Sequence, residues 1–236
     1  MRSRRSLTVA LTAGTVLIAT AATAGASADR PVAVWEMDER AGARTMMDSG
    51  GRGLHGRIGD EVRTDTHVRG AIGYRFDRLE PDTPPTHPGH LVTVRDADVL
   101  DPGTRDYAVT LRLRTTGKFG NIIQKGQAMT AGGNFKLQIP SGVVECTFRG
   151  SAGSIMVSSA PRRLNDGRWH SVRCARTDDE ITLTVDGSTV ARRYGWTGRI
   201  ANSWPVSIGG KTSCDQHDVG CDYYAGDLDY VEIDAD

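Results

Sequence analysis

Short runs of apolar residues follow one another along this chain and are separated by glycine, aspartate, asparagine and proline. Ile181–Val185 shows the pattern most clearly, because its residues alternate as they do in a strand with one buried face. No long segment repeats apolar residues at helical spacing. The runs predict strands over Val32–Met37, Ile72–Phe76, Leu91–Val94, Tyr107–Leu113, Asn121–Lys125, Phe135–Ile139, Val143–Phe148, Ser154–Ser158, Trp169–Cys174, Ile181–Val185, Thr189–Arg193, Val206–Ile208 and Leu228–Ile233. Because no helices are predicted between them, the sequence favours a sandwich or jelly roll over a parallel α/β sheet.

The stretch from Leu164 to Gly187 predicts two hairpins in succession. It reads LNDGRWHSVRCARTDDEITLTVDG, in which Asn165–Gly167 is a turn and the segment from Trp169 has strand composition. A short acidic turn then leads into an alternating strand. Asp186-Gly187 closes a tight hairpin, since glycine tolerates the positive φ that such a turn requires.

This order of turn, Trp-His strand, acidic turn, alternating strand and Val-Asp-Gly resembles the central hairpins of laminin-G-like domains in the concanavalin A-like lectin/glucanase superfamily. Val34–Asp38 and Ala225–Ile233 resemble the opening and the closing strands of the same module. The resemblance implies an all-β, concanavalin A-like (laminin-G-like) jelly-roll sandwich of two antiparallel sheets over residues 29–236. It leaves the function open, because this fold hosts lectins, hydrolases, lyases and protein-binding modules.

Residues 1–28 have the three parts of a secretory signal peptide. Three arginines lie within Met1–Arg5, an apolar run covers Leu7–Ala24, and Ala26–Ala28 is a small-x-small cleavage site. A membrane anchor is the alternative, because the apolar run approaches the length needed to span a membrane. Its richness in Thr, Ala and Gly and the cleavage site that follows it argue against an uncleaved anchor. The two arginines in Ser3–Arg5 resemble part of a twin-arginine signal, so the export route stays open between the general secretory and the twin-arginine pathway. We expect a secreted, extracellular protein.

The charge balance gives no indication of a highly charged partner. The chain has 29 basic and 29 acidic residues, and removing residues 1–28, which hold three arginines and no acid, leaves 26 basic against 29 acidic. A net charge of about −3 does not favour nucleic acid or anionic lipid. We therefore expect no nucleic-acid partner and no membrane contact after signal cleavage. We separately expect a monomer whose partner is a glycan or an extracellular protein.

Four cysteines in an exported chain permit three disulfide pairings. Cys146 and Cys174 lie in predicted strands, which we expect to be neighbours, and Cys214 and Cys221 flank a short polar loop. These positions favour the pairs Cys146–Cys174 and Cys214–Cys221. A zinc site is the alternative, but no C-x-x-C spacing occurs and thiols oxidise readily outside the cell.

Catalysis has to be considered, because the same superfamily contains the family 16 glycoside hydrolases. Retaining hydrolases need two carboxylates about 5 Å apart, and that family places them on one strand as E-x-D-x-E or a close variant, since alternate residues share a face. Asp227 and Asp229 share a face here, but we expect no third carboxylate in phase with them. The histidines form no recognisable lyase constellation, and no G-x-S-x-G elbow occurs. The chain is therefore predicted not to be an enzyme, with a polysaccharide hydrolase or lyase as the alternative.

The closing strand raises the question of a structural calcium ion. Leu228–Ile233 resembles the last strand of this superfamily, where an aspartate often holds calcium together with backbone carbonyls, and the match falls on Asp229. Asp48, in a glycine-flanked loop, is the candidate partner, because calcium prefers oxygen ligands of this kind. The alternative is that Asp229 and Asp48 only accept backbone hydrogen bonds.

Four aromatic residues stand in or beside glycine-rich connections: Tyr194, Trp196, Tyr223 and Tyr224. Flat rings on loops stack against sugar faces or anchor a protein partner. Their alternative role is to cap the open end of the sandwich. From these residues we predict a secreted, non-catalytic module that binds carbohydrate, with protein adhesion as a further alternative.

Overall fold

The computed structural model describes residues 31–80, 83–84, 86–213 and 222–236. The predicted signal peptide and both Cys214 and Cys221 lie outside the described residues, so these predictions stay predictions. Within the described part, no helix combines the length and apolar character that crossing a membrane requires.

Sixteen strands and two short 3-10 helices make up the regular structure of the described residues. The strands are β1 (Ala33–Trp35), β2 (Thr45–Met46), β3 (Gly56–Ile58), β4 (Arg63–Val68), β5 (Ala71–Phe76), β6 (Val92–Val94), β7 (Tyr107–Arg114), β8 (Asn121–Lys125), β9 (Asn134–Gln138), β10 (Glu145–Gly150), β11 (Gly153–Ser158), β12 (Trp169–Arg176), β13 (Glu180–Val185), β14 (Ser188–Tyr194), β15 (Val206–Ile208) and β16 (Gly226–Ala235). The helical turns cover Pro88–His90 and Asp98–Leu100.

The strands form two antiparallel sheets of eight strands each. The first sheet has the order β14-β13-β12-β7-β16-β5-β4, with β1 also paired to β16, and the second has the order β11-β10-β9-β8-β15-β6-β3-β2. The predicted all-β sandwich of two antiparallel sheets is therefore confirmed. Each predicted apolar run corresponds to a strand, whereas β2, β3 and β4 were not predicted, because β2 and β3 are very short and β4 is mainly polar.

The core lies between the two sheets and is filled by alternate side chains of facing strands. In β13 every second residue is buried, and β12 shows the same alternation. All five positions of β8, in the interior of the second sheet, are buried. Trp35 is completely buried, and its indole N–H donates to the carbonyl oxygen of Leu54 at 2.8 Å.

His170 ties the turn before β12 to the turn between β13 and β14. Its Nδ1 lies 2.9 Å from Asp186 Oδ2 and its Nε2 lies 3.1 Å from Asp166 Oδ1. Burial opposes ionisation of Asp166 and of Asp186, but hydrogen bonds from Arg168 and His170 to the first, and from His170 and Ser171 to the second, hold the pKa of each carboxyl below its usual value. The Asp-Gly-Arg-Trp-His and Val-Asp-Gly signatures therefore belong to one hydrogen-bonded unit.

The disulfide between Cys146 and Cys174 is present, with a Cα–Cα distance of 6.3 Å. The predicted pairing is confirmed, but the expectation that the two strands are neighbours is wrong. Cys146 lies in β10 of the second sheet and Cys174 in β12 of the first, and both are completely buried. The bond therefore crosses the core and links the two layers of the sandwich.

Candidate functional site

The segment that follows β14 carries the two exposed rings among the four predicted contact residues. Tyr194 is 70% exposed and Trp196 is 42% exposed. Gly195, between them, has a φ of +142°, and a Cβ added there would lie 2.7 Å from Cδ1 of Ile155. Glycine is therefore needed at this position for the chain to pass close to β11 while both rings stay in contact with solvent.

Hydrogen bonds to both sheets fix the backbone on either side of Trp196. The Gly195 amide donates to the carbonyl of Asp179, just before β13 of the first sheet, at 2.7 Å. The Ala152 amide, in the turn between β10 and β11 of the second sheet, donates to the carbonyl of Thr197 at 3.0 Å. The two rings are thus held at the edge where both sheets end, and a ligand that binds them does not have to order the backbone first.

Tyr223 and Tyr224 are buried, which corrects the prediction that both rings are free to bind a ligand. Tyr223 is 2% exposed, and its hydroxyl accepts a hydrogen bond from the amide of His87 at 2.9 Å. Tyr224 is 1% exposed, and its hydroxyl lies 3.1 Å from the carbonyl oxygens of Arg114 and Asp227. Burial raises the pKa of the Tyr224 hydroxyl well above its usual value. Neither ring offers a face on which a sugar could stack.

Asp48 organises its own loop through four backbone amides. Its Oδ1 accepts from Val34 at 3.2 Å and Gly50 at 2.9 Å, and its Oδ2 accepts from Arg52 at 3.1 Å and Leu54 at 3.0 Å. Burial alone would raise the pKa of this carboxyl, but the four hydrogen bonds lower it. Each oxygen already accepts two hydrogen bonds, so Asp48 does not offer a free ligand to calcium.

Asp229 already has a cationic partner in the structure. Its Oδ2 accepts a hydrogen bond from Nη1 of Arg112, whose guanidinium carbon lies 5.4 Å from the centroid of the Trp169 ring. Burial, together with the neighbouring carboxylates of Glu36 and Asp38, raises the pKa of Asp229 against the opposing effect of Arg112. The arginine fills the role that calcium was predicted to fill at this carboxylate.

A calcium ion held by Asp48 and Asp229 therefore does not fit these residues. Within residues 31–80, 83–84, 86–213 and 222–236, no group of three or more His, Cys, Asp or Glu side chains could hold a metal ion. The alternative interpretation of Asp48, as an acceptor for backbone amides, describes its contacts correctly. Asp229 accepts from an arginine side chain instead.

A β-bulge in β16 brings carboxylates onto one face in a way that sequence alternation did not predict. Leu228 pairs with Leu113 and Val231 with Leu111, so Asp229 and Tyr230 both lie opposite Arg112. The extra residue shifts the phase of the strand, and Glu232 joins Asp227 and Asp229 on the outer face. The expectation that no third carboxylate is in phase is wrong for this reason.

The carboxylates on this face are nevertheless engaged with other side chains. Asp227 is 1% exposed and forms ion pairs with both Arg75 and Arg114, the latter at 2.7 Å. Glu232 accepts a hydrogen bond from the hydroxyl of Tyr230. A retaining glycosidase needs an accessible nucleophile and a separate acid. An aspartate buried between two arginines does not provide the accessible nucleophile.

Comparison with known families matches residues 113–235, which is more than half of the chain, to the laminin G domain. Laminin G domains are binding modules, and the chain is accordingly a non-catalytic binding module, as its sequence predicts.

Two relatives each match less than half of the chain. Sex hormone-binding globulin of Phodopus sungorus is 33% identical over 93 residues, which are 38% of this chain and 23% of that protein. Neurexin-3-beta of Homo sapiens is 32% identical over 114 residues, which are 47% of this chain and 18% of that protein. The chain thus spans less than a quarter of the length of either relative.

Solved structures support the fold over a larger part of the chain. The binding domain of botulinum neurotoxin serotype D has a TM-score of 0.60 at 12% sequence identity, and the match covers 88% of this chain and 48% of that one. At this identity the likeness concerns the fold alone. The motifs, the two antiparallel sheets and the family match agree: this chain belongs to the laminin G domain family.

Proposed function

We propose that the mature protein is a secreted carbohydrate-binding module and that Tyr194 and Trp196 form its sugar-contacting surface. The observation that carries the proposal is the pair of exposed rings, 70% and 42% accessible, separated by one glycine on a fixed backbone. The face of an aromatic ring packs against the C–H face of a pyranose, and rings that are already fixed lose little conformational entropy on binding.

Polar groups next to the rings supply the hydrogen bonds that a sugar needs. Arg192 precedes Tyr194 by two residues on β14, and its Nε lies 3.2 Å from Oε2 of Glu180. Arg193 lies between Arg192 and Tyr194 and is exposed. Guanidinium N–H groups beside a ring donate to sugar hydroxyls, and a few such polar contacts determine which sugar is accepted.

A protein ligand is the second candidate, and one observation favours it. Met156 on β11 is 39% exposed, and β11 and β14, the edge strands of the two sheets, contact each other. Together with Tyr194 and Trp196, this residue widens the apolar area beyond what one sugar ring covers. Broad patches of this kind mark protein interfaces.

The proposal is tested on a glycan array with the mature chain and the variants Trp196→Ala and Tyr194→Ala. We expect Trp196→Ala to weaken glycan binding by about 1–3 kcal/mol without lowering the melting temperature, the cost of removing a contact ring. Met129→Ala is the control, because Met129 is 94% exposed and lies in the connection between β8 and β9. Absence of glycan binding, or equal binding by Trp196→Ala, would contradict the proposal. Loss of an extracellular protein partner on Met156→Ala would favour the second candidate.

The proposed secretion and signal-peptide cleavage are tested separately. Residues 1–28 carry basic, apolar and small-residue segments in the order of a signal peptide. Expression of the full chain in an exporting host should release protein whose first residue is Asp29. Ala28→Phe should slow cleavage, since the peptidase requires small residues there. A released protein that still carries Met1 would contradict the proposed cleavage of a signal peptide.

A further inference from the structure

A lysine side chain is buried at the end of β8, with two aspartates packed against it. The side chain of Lys125 is 0% exposed. Its Nζ lies 2.7 Å from Oδ1 of Asp96 and 2.7 Å from Oδ1 of Asp101, and it donates a hydrogen bond to the carbonyl oxygen of Asn202. A hydrophobic side chain in such a position is often at least as stabilising as a buried ion pair. The three charged side chains therefore need a reason beyond packing.

The two aspartates are held in different ways. Oδ1 of Asp101 accepts a hydrogen bond from Nζ of Lys125 and another from the amide of Asn202, the latter at 3.2 Å. Oδ1 of Asp96 is buried, and no donor in the described part of the chain approaches it in hydrogen-bonding geometry. The lysine nitrogen is thus in contact with the Asp96 carboxyl group without the alignment of a hydrogen bond. Asp101 is placed to accept a proton from this nitrogen, and Asp96 is placed to be approached by it.

The connection that carries both aspartates is fixed in position. It runs from β6 to β7 and contains one of the two 3-10 turns. Nη2 of Arg105 donates to the carbonyl of Asp101 at 2.7 Å, and the hydroxyl of Tyr107 donates to the carbonyl of Leu100 at 3.0 Å. Lys125 is held on the other side, in β8 between β9 and β15. Well-oriented groups within one molecule react with effective molarities of about 10⁵–10⁸ M.

We propose that Lys125 and Asp96 condense to an intramolecular amide, with Asp101 as the proton carrier. Asp101 takes one proton from the Lys125 ammonium group, and the uncharged nitrogen attacks Cγ of Asp96. The N–Cγ bond forms and one Cγ–O bond of Asp96 breaks. The departing oxygen leaves as water, with the proton that Asp101 returns and a second proton from the nitrogen. One ammonium and one carboxylate become one amide and one water molecule, so no oxidant, reductant or other reagent is needed.

Burial favours the amide over the ion pair. The condensation removes two opposite charges from the interior, where charges are unfavourable even when they are paired. The remaining amide N–H has the Asp101 carboxylate beside it as an acceptor. The Asp96 side chain is 32% exposed, which gives the released water a path to solvent. The amide joins β8 to the β6–β7 connection, as a cross-link that reductant does not open and that does not depend on the proposed ligand.

Mass spectrometry of the mature chain tests the proposal. In reductant, the intact mass should be lower by one water molecule than the mass calculated from the sequence. Trypsin should release a branched peptide that joins residues 96–105 to residues 119–136, because it does not cleave after an acylated Lys125. Fragmentation should place the branch at Asp96. A cyclic imide within one aspartate also loses water but joins no peptides, so the branched peptide distinguishes the two products.

Variants separate the reaction from packing. Lys125→Arg keeps a cation that forms no such amide, and Asp96→Ala removes the carboxyl group that is attacked, so both should have the full mass and no branched peptide. Asp101→Asn should slow the linkage by about a hundredfold or more, measured in samples taken after a short pulse of expression, because an amide side chain does not carry the proton. Asp98→Ala is the matched control: Asp98 is exposed in the same connection, and this variant should link as the wild type does.

The mass of the wild-type chain decides the proposal even if a variant does not fold. A wild-type chain of full mass that yields no branched peptide overturns it. A branch at Asp101 overturns the assignment of Asp96 as the residue that is attacked. Linkage of Asp101→Asn at the wild-type rate overturns the role of Asp101 as proton carrier. Circular dichroism identifies the variants whose fold is intact, and rates are compared among these.

Discussion

At the scale of single residues, the structure separates side chains that are free to act from side chains that the fold already uses. Tyr194 and Trp196 are accessible, whereas Tyr223 and Tyr224 are in the interior. The difference is one of partners, because the buried hydroxyls have backbone partners and the exposed rings border open solvent. Exposure, and not aromatic character, distinguishes a candidate contact residue.

Asp48→Ala should lower the free energy of unfolding by about 2–4 kcal/mol, because four backbone amides lose a charged acceptor. The loss should be the same in calcium and in chelator, since the carboxylate has no free oxygen for a metal ion. Thermal melts in both buffers measure it, with Asp48→Asn as a milder variant that keeps one acceptor. A loss seen only in calcium would restore the metal interpretation.

His170→Ala should lower the free energy of unfolding by about 2 kcal/mol, because it removes the ring whose two nitrogens join Asp166 to Asp186. His67→Ala is the matched control: His67 is exposed and pairs with Asp65 at the surface, where such pairs contribute little. Urea unfolding of both variants compares the two costs. Equal effects would show that the link between the turns contributes nothing to stability.

Acid should weaken the fold through Asp48, Asp166 and Asp186, whose pKa values are all lowered in the folded state. A carboxyl group whose pKa is lowered by folding stabilises the folded state at pH values above its unfolded pKa of about 3.9. This stabilisation is lost as the pH falls through the pKa of the folded state. Unfolding free energies at pH 7, 4 and 3 should fall in that order, and less steeply in Asp166→Asn. A slope that is unchanged in this variant would contradict the assignment.

At the scale of elements, the alternation of buried and exposed residues defines the two faces of a strand. A single β-bulge changes which side chains β16 places on its outer face. β12 and β13 alternate regularly and bury one face each. β16 accommodates two residues opposite Arg112, with Tyr230 at a φ of +105°. Because a strand has a period of two, one extra residue moves the following side chains to the opposite phase, and this places Glu232 beside Asp229.

Removing the disulfide by Cys146→Ala/Cys174→Ala should lower the free energy of unfolding by about 2–4 kcal/mol, because the bond closes a chain segment of 28 residues and joins the two sheets. The measurement is urea unfolding of the double variant under non-reducing conditions. Wild-type protein in reductant should shift towards the variant, and the variant should respond less, because only the predicted Cys214–Cys221 pair remains in it. An equal response of both proteins to reductant would indicate that the Cys146–Cys174 bond does not contribute to stability.

At the scale of the whole molecule, the chain is a two-layer laminin G sandwich whose polar surface is organised for binding. Its acidic face on β16 is neutralised by Arg75, Arg112 and Arg114. The rings of Tyr194 and Trp196 at one edge remain exposed to solvent. Binding without catalysis follows from this arrangement, since the buried aspartate at the centre of the face is not accessible to a substrate.

The mature protein should therefore release no reducing ends from β-glucan, alginate or heparin, even when it binds them. A reducing-sugar assay on purified protein, with a glycosidase as positive control, measures this. Asp227→Asn is informative, because it should lower stability by disrupting the two arginine pairs while the activity remains at background. Hydrolysis that disappears in Asp227→Asn and is retained in Asp234→Asn would contradict a purely binding role.

The sequence alone determined the features that depend on neighbours in the chain. Alternation in Ile181–Val185, the turns at Gly167 and Gly187, and the family signature around His170 all arise from residues within a few positions of one another. These local patterns were sufficient for the fold class. The pairing of Cys146 with Cys174 was predicted correctly, but from an arrangement of neighbouring strands that the fold does not have.

The tertiary structure decided everything that depends on partners distant in sequence. Tyr223 is buried against His87, 136 residues earlier, and Asp227 is neutralised by Arg75, 152 residues away. The placement of the disulfide across the core depends equally on how the sheets stack. Burial and charge pairing are properties of surfaces that meet only in the folded chain, so no local pattern in the sequence encodes them.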